Sequence, residues 1–248
     1  AGVLWSLNST PRALAAGWLA LTLATGGALL IAVAPFTGGT PIMANYVPVI
    51  ESPLFLAGLL LFGAGMAALV ARGMFASPLV GIRLDGAGAL RFGLNGAIVV
   101  TAIALLALAW SYVAVPGGLD GKAYYELLFW GAGHVLQFAW TLLMLVAWLI
   151  LADAVGLRLP LSPRVVALLF GVGLAAVFAT PLIYLAWNVA SVEHHRLHTW
   201  LMRFGGGLAI TPVAAAILWA LVRGNGAPEP RRDAAQRPVE QCERARDF

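Results

Sequence analysis

His134 stands in the stretch Tyr124-Tyr125-Glu126-Leu127-Leu128-Phe129-Trp130-Gly131-Ala132-Gly133-His134, whose apolar character leaves an imidazole in need of a partner or a task. Polar groups at membrane depth are costly and commonly mark sites. Glu126, Trp130, His134, Gln137 and Thr141 recur at intervals of three and four, so they share one stripe of a helix. That stripe has to face protein or a water-lined cavity, because lipid would leave its polar groups unsatisfied. Two readings follow. In one, Glu126 reaches the outer interface while His134 and Gln137 bond a neighbouring helix; in the other, His134 ligates a metal or haem, or relays protons with Glu126. A second group, Glu193-His194-His195-Arg196-Leu197-His198, separates His194 and His198 by four residues. On a helix that spacing clamps a metal; on an external link it is a solvated loop.

The elements that carry these residues are set by composition. The chain is 61% hydrophobic and 10% charged, with mean hydropathy +0.88. It contains runs of about twenty apolar residues, the length that crosses roughly 30 Å of hydrocarbon as a helix. No period-two alternation suggests a barrel, so the sequence predicts an all-α, polytopic transmembrane bundle of about six spans. They fall near 14–35, 54–71, 93–115, 124–152, 165–190 and 199–222, preceded by an N-terminal segment 1–13 and followed by a polar tail 223–248 that is expected to be disordered. The link 191–198 then holds the second histidine group outside the membrane.

Orientation follows from the basic residues. Twelve of the fifteen, among them Arg72, Arg91, Arg158 and Arg223, fall on the side of the termini, against Lys122, Arg196 and Arg203 on the other. This predicts an integral protein of a bacterial-type inner membrane with both termini cytoplasmic. The net charge of +4 is then a topology signal with no need of nucleic acid, and lipid headgroups are the expected polar contact. The single Cys242 excludes an internal disulfide and a cysteine metal cage. No Walker sequence, dinucleotide glycine fingerprint, Ser/His/Asp set or haem-attachment motif is present, which argues against soluble-enzyme chemistry. Gly205, Gly206 and Gly207, with Gly171 and Gly173, suit close helix approach, and Pro181 and Pro212 should each disturb a span.

Leu128-Phe129-Trp130-Gly131-Ala132-Gly133-His134 resembles the segment of haem-copper oxidase subunit I that carries the first copper-ligating histidine, Leu-Phe-Trp-Phe-Phe-Gly-His in its usual form. Asn45-Tyr46-Val47-Pro48, followed by Pro53-Leu54-Phe55, is similar to the Gly-Asn-Tyr-x-x-Pro element that closes that family's second helix. The order of the two elements matches residues 14–222 to roughly helices II to VIII of the family. The resemblance implies copper or haem at His134, with His194 and His195 as the family's histidine pair, His198 nearby, and Glu126, Gln137, Tyr184 and Asn188 as a polar lining. Where the family carries its low-spin haem histidine this chain has Gly26, and the ligands of the family's tenth helix lie beyond its sixth span.

The implied function is therefore an integral subunit of a respiratory or other membrane oxidoreductase assembly, without a complete haem-copper centre of its own and with other membrane subunits as partners. For the isolated chain, an absence of cofactor is an equal expectation. A catalytic oxidase or nitric-oxide-reductase type of subunit is the alternative, and a small-molecule or metal-ion carrier opened at Pro181 and Pro212 is another. Depth bears on the copper set. At 1.5 Å per residue, a fifth span running on to residue 190 lifts His194 roughly 15 Å above His134, which predicts that the two groups do not share one metal.

Overall fold

The computed structural model describes residues 11–76, 86–119 and 121–223; the polar tail from residue 224 and Cys242 lie outside the described residues. Among these the chain forms α1 (Pro11–Val33), a two-stranded hairpin of β1 (Thr40–Ile42) and β2 (Val49–Glu51), α2 (Pro53–Ala76), α3 (Gly86–Ala114), α4 (Gly121–Ala154), α5 (Pro163–Val177), α6 (Ala179–Ala186), α7 (Val192–Trp200) and α8 (Gly207–Val222). A turn of π-helix, Leu201–Gly206, joins α7 to α8. Six stretches are long and apolar enough to cross a membrane, and α5 with α6, like α7 with α8, acts as one of them. The protein is an all-α, polytopic integral membrane bundle.

Helix starts are written locally. Ser52 Oγ accepts from the Phe55 amide at 3.1 Å, and Ser162 Oγ caps α5 by accepting from Val165 at 3.4 Å. Each serine is followed by proline at the first helical position, where a missing N–H costs nothing. Ser191 caps α7 by accepting from the His194 amide at 3.2 Å. Pro181 cannot donate to the carbonyl of Val177, and the fifth span is interrupted beside it, at Phe178.

The principal core lies between α3, α4, α5 and α8, around Val100, Val135, Leu145, Phe170, Val177 and Val213. α1 pairs mainly with α2. There a Cβ on Gly58 would come within 2.9 Å of the Ile31 amide, and one on Gly65 within 2.8 Å of the Ala20 carbonyl, so the backbones touch without side chains between them. Gly205 likewise lets the π turn approach Phe138 and Ala176, whereas Gly173 has nothing close to it. Large apolar side chains such as Leu60, Leu168, Leu182 and Leu218 point outward, as surfaces solvated by lipid tails require. The hairpin pairs Thr40 with Glu51 and Ile42 with Val49 in antiparallel register.

The last two spans differ from the sequence expectation. The fifth ends at Ala186 rather than near 190, and the sixth begins at Val192 rather than 199. Trp187 is extended, the Asn188 side chain accepts from the Ala190 amide, and Ser191 caps the next helix, so the chain reverses within five residues. The histidine group is therefore the first turns of a descending span and not an external link. A polar sequence hid the helix because its low hydropathy is offset by burial against other polar side chains.

Candidate functional site

That reversal brings the two histidine groups together. Trp130 Nε1 donates to the His195 carbonyl at 3.3 Å, which sets His195 level with the residue one turn outward of His134. His134 and His198 have ring centres 6.2 Å apart, and His194 and His198 4.4 Å apart. The expected 15 Å mismatch is thus overturned: the count assumed continued ascent where the backbone turns back.

His134 is buried at 4% exposure, His194 and His198 at 0%. Small residues make the room. A Cβ on Gly131 would collide with the Tyr184 hydroxyl, and one on Gly133 with the Tyr46 ring, so the glycines on both sides of Ala132 admit aromatic neighbours to the face of α4 that carries His134. Tyr184, on α6, stands edge-on to His194 at 4.7 Å and to His198 at 5.5 Å. Its hydroxyl is 2.8 Å from Ser111 Oγ on α3. Tyr46 reaches in from the hairpin, with its oxygen 2.8 Å from His134 Nδ1 and accepting a longer contact of 3.4 Å from Gln137 Nε2. Burial pushes the Tyr46 phenol up to about 12, so it is a neutral hydroxyl.

Hydrogen bonding fixes the tautomers. His134 Nδ1 lies 2.8 Å from the Trp130 carbonyl, His195 Nδ1 2.9 Å from that of Ser191, and His198 Nδ1 2.9 Å from that of His194. A carbonyl only accepts, so each Nδ1 carries the proton and each Nε2 keeps a lone pair. His134 Nε2 faces Thr199 Oγ1 at 3.4 Å, but that hydroxyl spends its proton on the His195 carbonyl at 2.9 Å. His198 Nε2 and both nitrogens of His194 are buried without a partner. Each unmet polar atom of this kind costs on the order of 1–3 kcal/mol. Carbonyl-held imidazoles that present bare Nε2 atoms are the arrangement a metal ion uses, with the backbone as the outer shell that orients each ligand.

The spacing is compatible. With a metal about 2.0 Å from nitrogen, two imidazoles on one ion have ring centres roughly 4.5 to 6 Å apart, close to the separations of His198 from His194 and from His134. Among the described residues, no three His, Cys, Asp or Glu side chains converge on one ion as they stand. His194 has no hydrogen bond at either nitrogen, so its ring can turn toward His134 without losing one. His195 lies on the flank, partly exposed, with its ring 4.6 Å from that of Trp130.

Of the expected lining, Gln137 and Tyr184 belong to the cluster. Glu126 does not; it pairs with Lys122 at 3.5 Å near the outer end of α4. Asn188 is exposed and holds the turn before α7. Tyr46, Ser111 and Thr199 join the site without having been singled out for it by spacing. A groove of about 400 Å³ at the other end of α4 and α8, between Trp148, Leu151, Leu157 and Leu221, has apolar walls and suits only lipid or another helix.

The chain is 24% identical over 195 residues to the uncharacterized protein RP382 of Rickettsia prowazekii (strain Madrid E), a match that covers 75% of this chain and 37% of that protein. The chain thus spans well under half the length of that relative. No family model matches the chain, and no solved structure matches it.

Proposed function

We propose that this chain is an integral membrane subunit, similar to haem-copper oxidase subunit I, that holds a copper ion at His134, His194 and His198 within a membrane oxidoreductase assembly. The observation that carries the reading is the pair of fully buried imidazoles, His194 with neither nitrogen partnered and His198 with a bare Nε2, the latter ring 6.2 Å from that of His134. Neutral imidazoles without thiolate or carboxylate suit copper, zinc or iron, and the resemblance around His134 selects copper. Copper, when bound, would supply a centre that gains and loses one electron. The protein's part is to hold the lone pairs of His134 and His198 in place through the Trp130 and His194 carbonyls, to leave His194 free to turn onto the ion, to exclude water through Tyr184 and the surrounding core, and to brace His134 from outside through Tyr46.

All four histidines of the sequence lie in this one region, so histidine ligands for a haem elsewhere would have to come from another polypeptide segment. This favours a subunit that contributes the copper half of a centre over one that contains both halves. Placement in a bacterial-type inner membrane with cytoplasmic termini is part of the same proposal and rests on the asymmetry of basic residues.

Elemental and optical analysis of the protein purified from its own membranes tests the reading. Copper near one per chain in wild type and near zero in His134→Ala supports it, and a copper-free wild type with intact helices refutes it. Tyr46→Phe keeps the ring over Gly133 but removes the oxygen beside His134. Its copper stoichiometry stays at one while affinity, read by chelator competition, falls about tenfold, the lower end of the outer-shell range.

A further inference from the structure

Arg203 was expected on the external side; the structure puts it at mid-depth of the sixth span. It lies in the π turn Leu201–Gly206, eleven residues into the stretch Val192–Val222. Two residues on, a Cβ at Gly205 would come 3.2 Å from the Phe138 ring. Phe138 in turn is twelve residues from Glu126 and fifteen from Asp153, the charged residues that bound the uncharged run of α4. At 1.5 Å per residue those are about 18 and 22 Å, so Arg203 sits near the middle of the bilayer. An arginine side chain extends little more than the roughly 5.4 Å of one helical turn, and neither surface is within its reach by snorkelling.

Its side chain is exposed on the outside of the bundle. The guanidinium lies 5.7 Å from the ring of Phe204, itself exposed, and among the described residues no carboxylate pairs with it. A cation at this depth facing lipid is strongly disfavoured; such residues face protein or a polar cavity. Water-soluble partners do not reach it. A second copy of the chain does not answer it either. Every acidic residue of the sequence lies at a span end, in a link or in the tail, and a two-fold contact on this face would bring two arginines together. The π turn breaks the regular helical surface at the same level, a feature frequent at functional positions, while its Gly205 and Gly206 close against Phe138 on the inner side.

We infer that Arg203 marks the face on which a partner transmembrane helix, from outside these 248 residues, docks and presents an Asp or Glu carboxylate at mid-membrane depth. The inference stands on depth and charge and is independent of the metal site.

The test uses the full chain in its own membranes. Arg203→Lys retains the larger assembly on native gels, and its ε-amine, after treatment with a membrane-permeant carbodiimide, forms an amide with an Asp or Glu from an apolar run that is not in this sequence. Arg203→Leu loses the larger assembly and leaves free chain. A cross-link to one of this chain's own acidic residues overturns the inference, as does the absence of any product above the Arg203→Gln background together with normal assembly of Arg203→Leu.

Discussion

His198→Ala lowers copper affinity by at least about 100-fold, while His195→Ala stays within the roughly tenfold that loss of an outer-shell group costs. The two histidines are three residues apart on α7 and differ in what surrounds them. His198 is fully buried, 4.4 Å from the ring of His194 and 6.2 Å from that of His134, and its Nε2 lacks a partner. His195 is partly exposed and stacked beside Trp130. The haem-copper oxidase resemblance alone would pair His194 with His195, so this comparison separates a ligand set read from the fold from one read from the motif. Isothermal titration or chelator competition with copper on the two purified variants decides it; equal losses in both would return His195 to the site.

His194→Leu makes the metal-free chain more stable, by about 1–3 kcal/mol, and removes the stabilisation that copper gives the wild type. Both nitrogens of His194 are buried without a hydrogen bond, and its neighbours Tyr184 and His198 meet it ring to ring. A leucine of similar volume escapes the desolvation cost and keeps most contacts, so the sign of the change is positive for a residue kept for binding. In wild type, copper at 100 times its dissociation constant adds about 2.7 kcal/mol; the variant shows no such rise. Denaturant or thermal unfolding in detergent, with and without copper, reads both quantities. A less stable metal-free variant would make His194 a structural residue.

The membrane architecture was legible because lipid imposes one solution on long apolar runs, and spans two to four agree with the structure to within a few residues, apart from the polar start of α3. The i, i+4 relation of His194 and His198 was legible for the same kind of reason, being a property of one helix. What sequence could not supply was the direction of that helix. Whether residues 187–191 continue a span or reverse it depends on Asn188 and Ser191 holding a turn, a choice made by a handful of local hydrogen bonds that hydropathy does not register. From that one error came the mistaken depth of His194, the external placement of Arg203 and the inclusion of Asn188 in the lining. Tyr46 was visible as part of a motif but not as a neighbour of His134, because contacts between a hairpin and a helix 88 residues away carry no periodic signal. Glu126 shared the helical stripe of His134, yet two turns of height put it beside Lys122 instead.

The central claim is that three imidazoles from α4 and α7 share one copper ion. Copper K-edge X-ray absorption on the copper-loaded chain addresses it most directly. The account predicts imidazole scattering from three nitrogens at about 2.0 Å, reduced to two in His198→Ala at saturating copper. A spectrum with one imidazole or none, unchanged by that substitution, would contradict it.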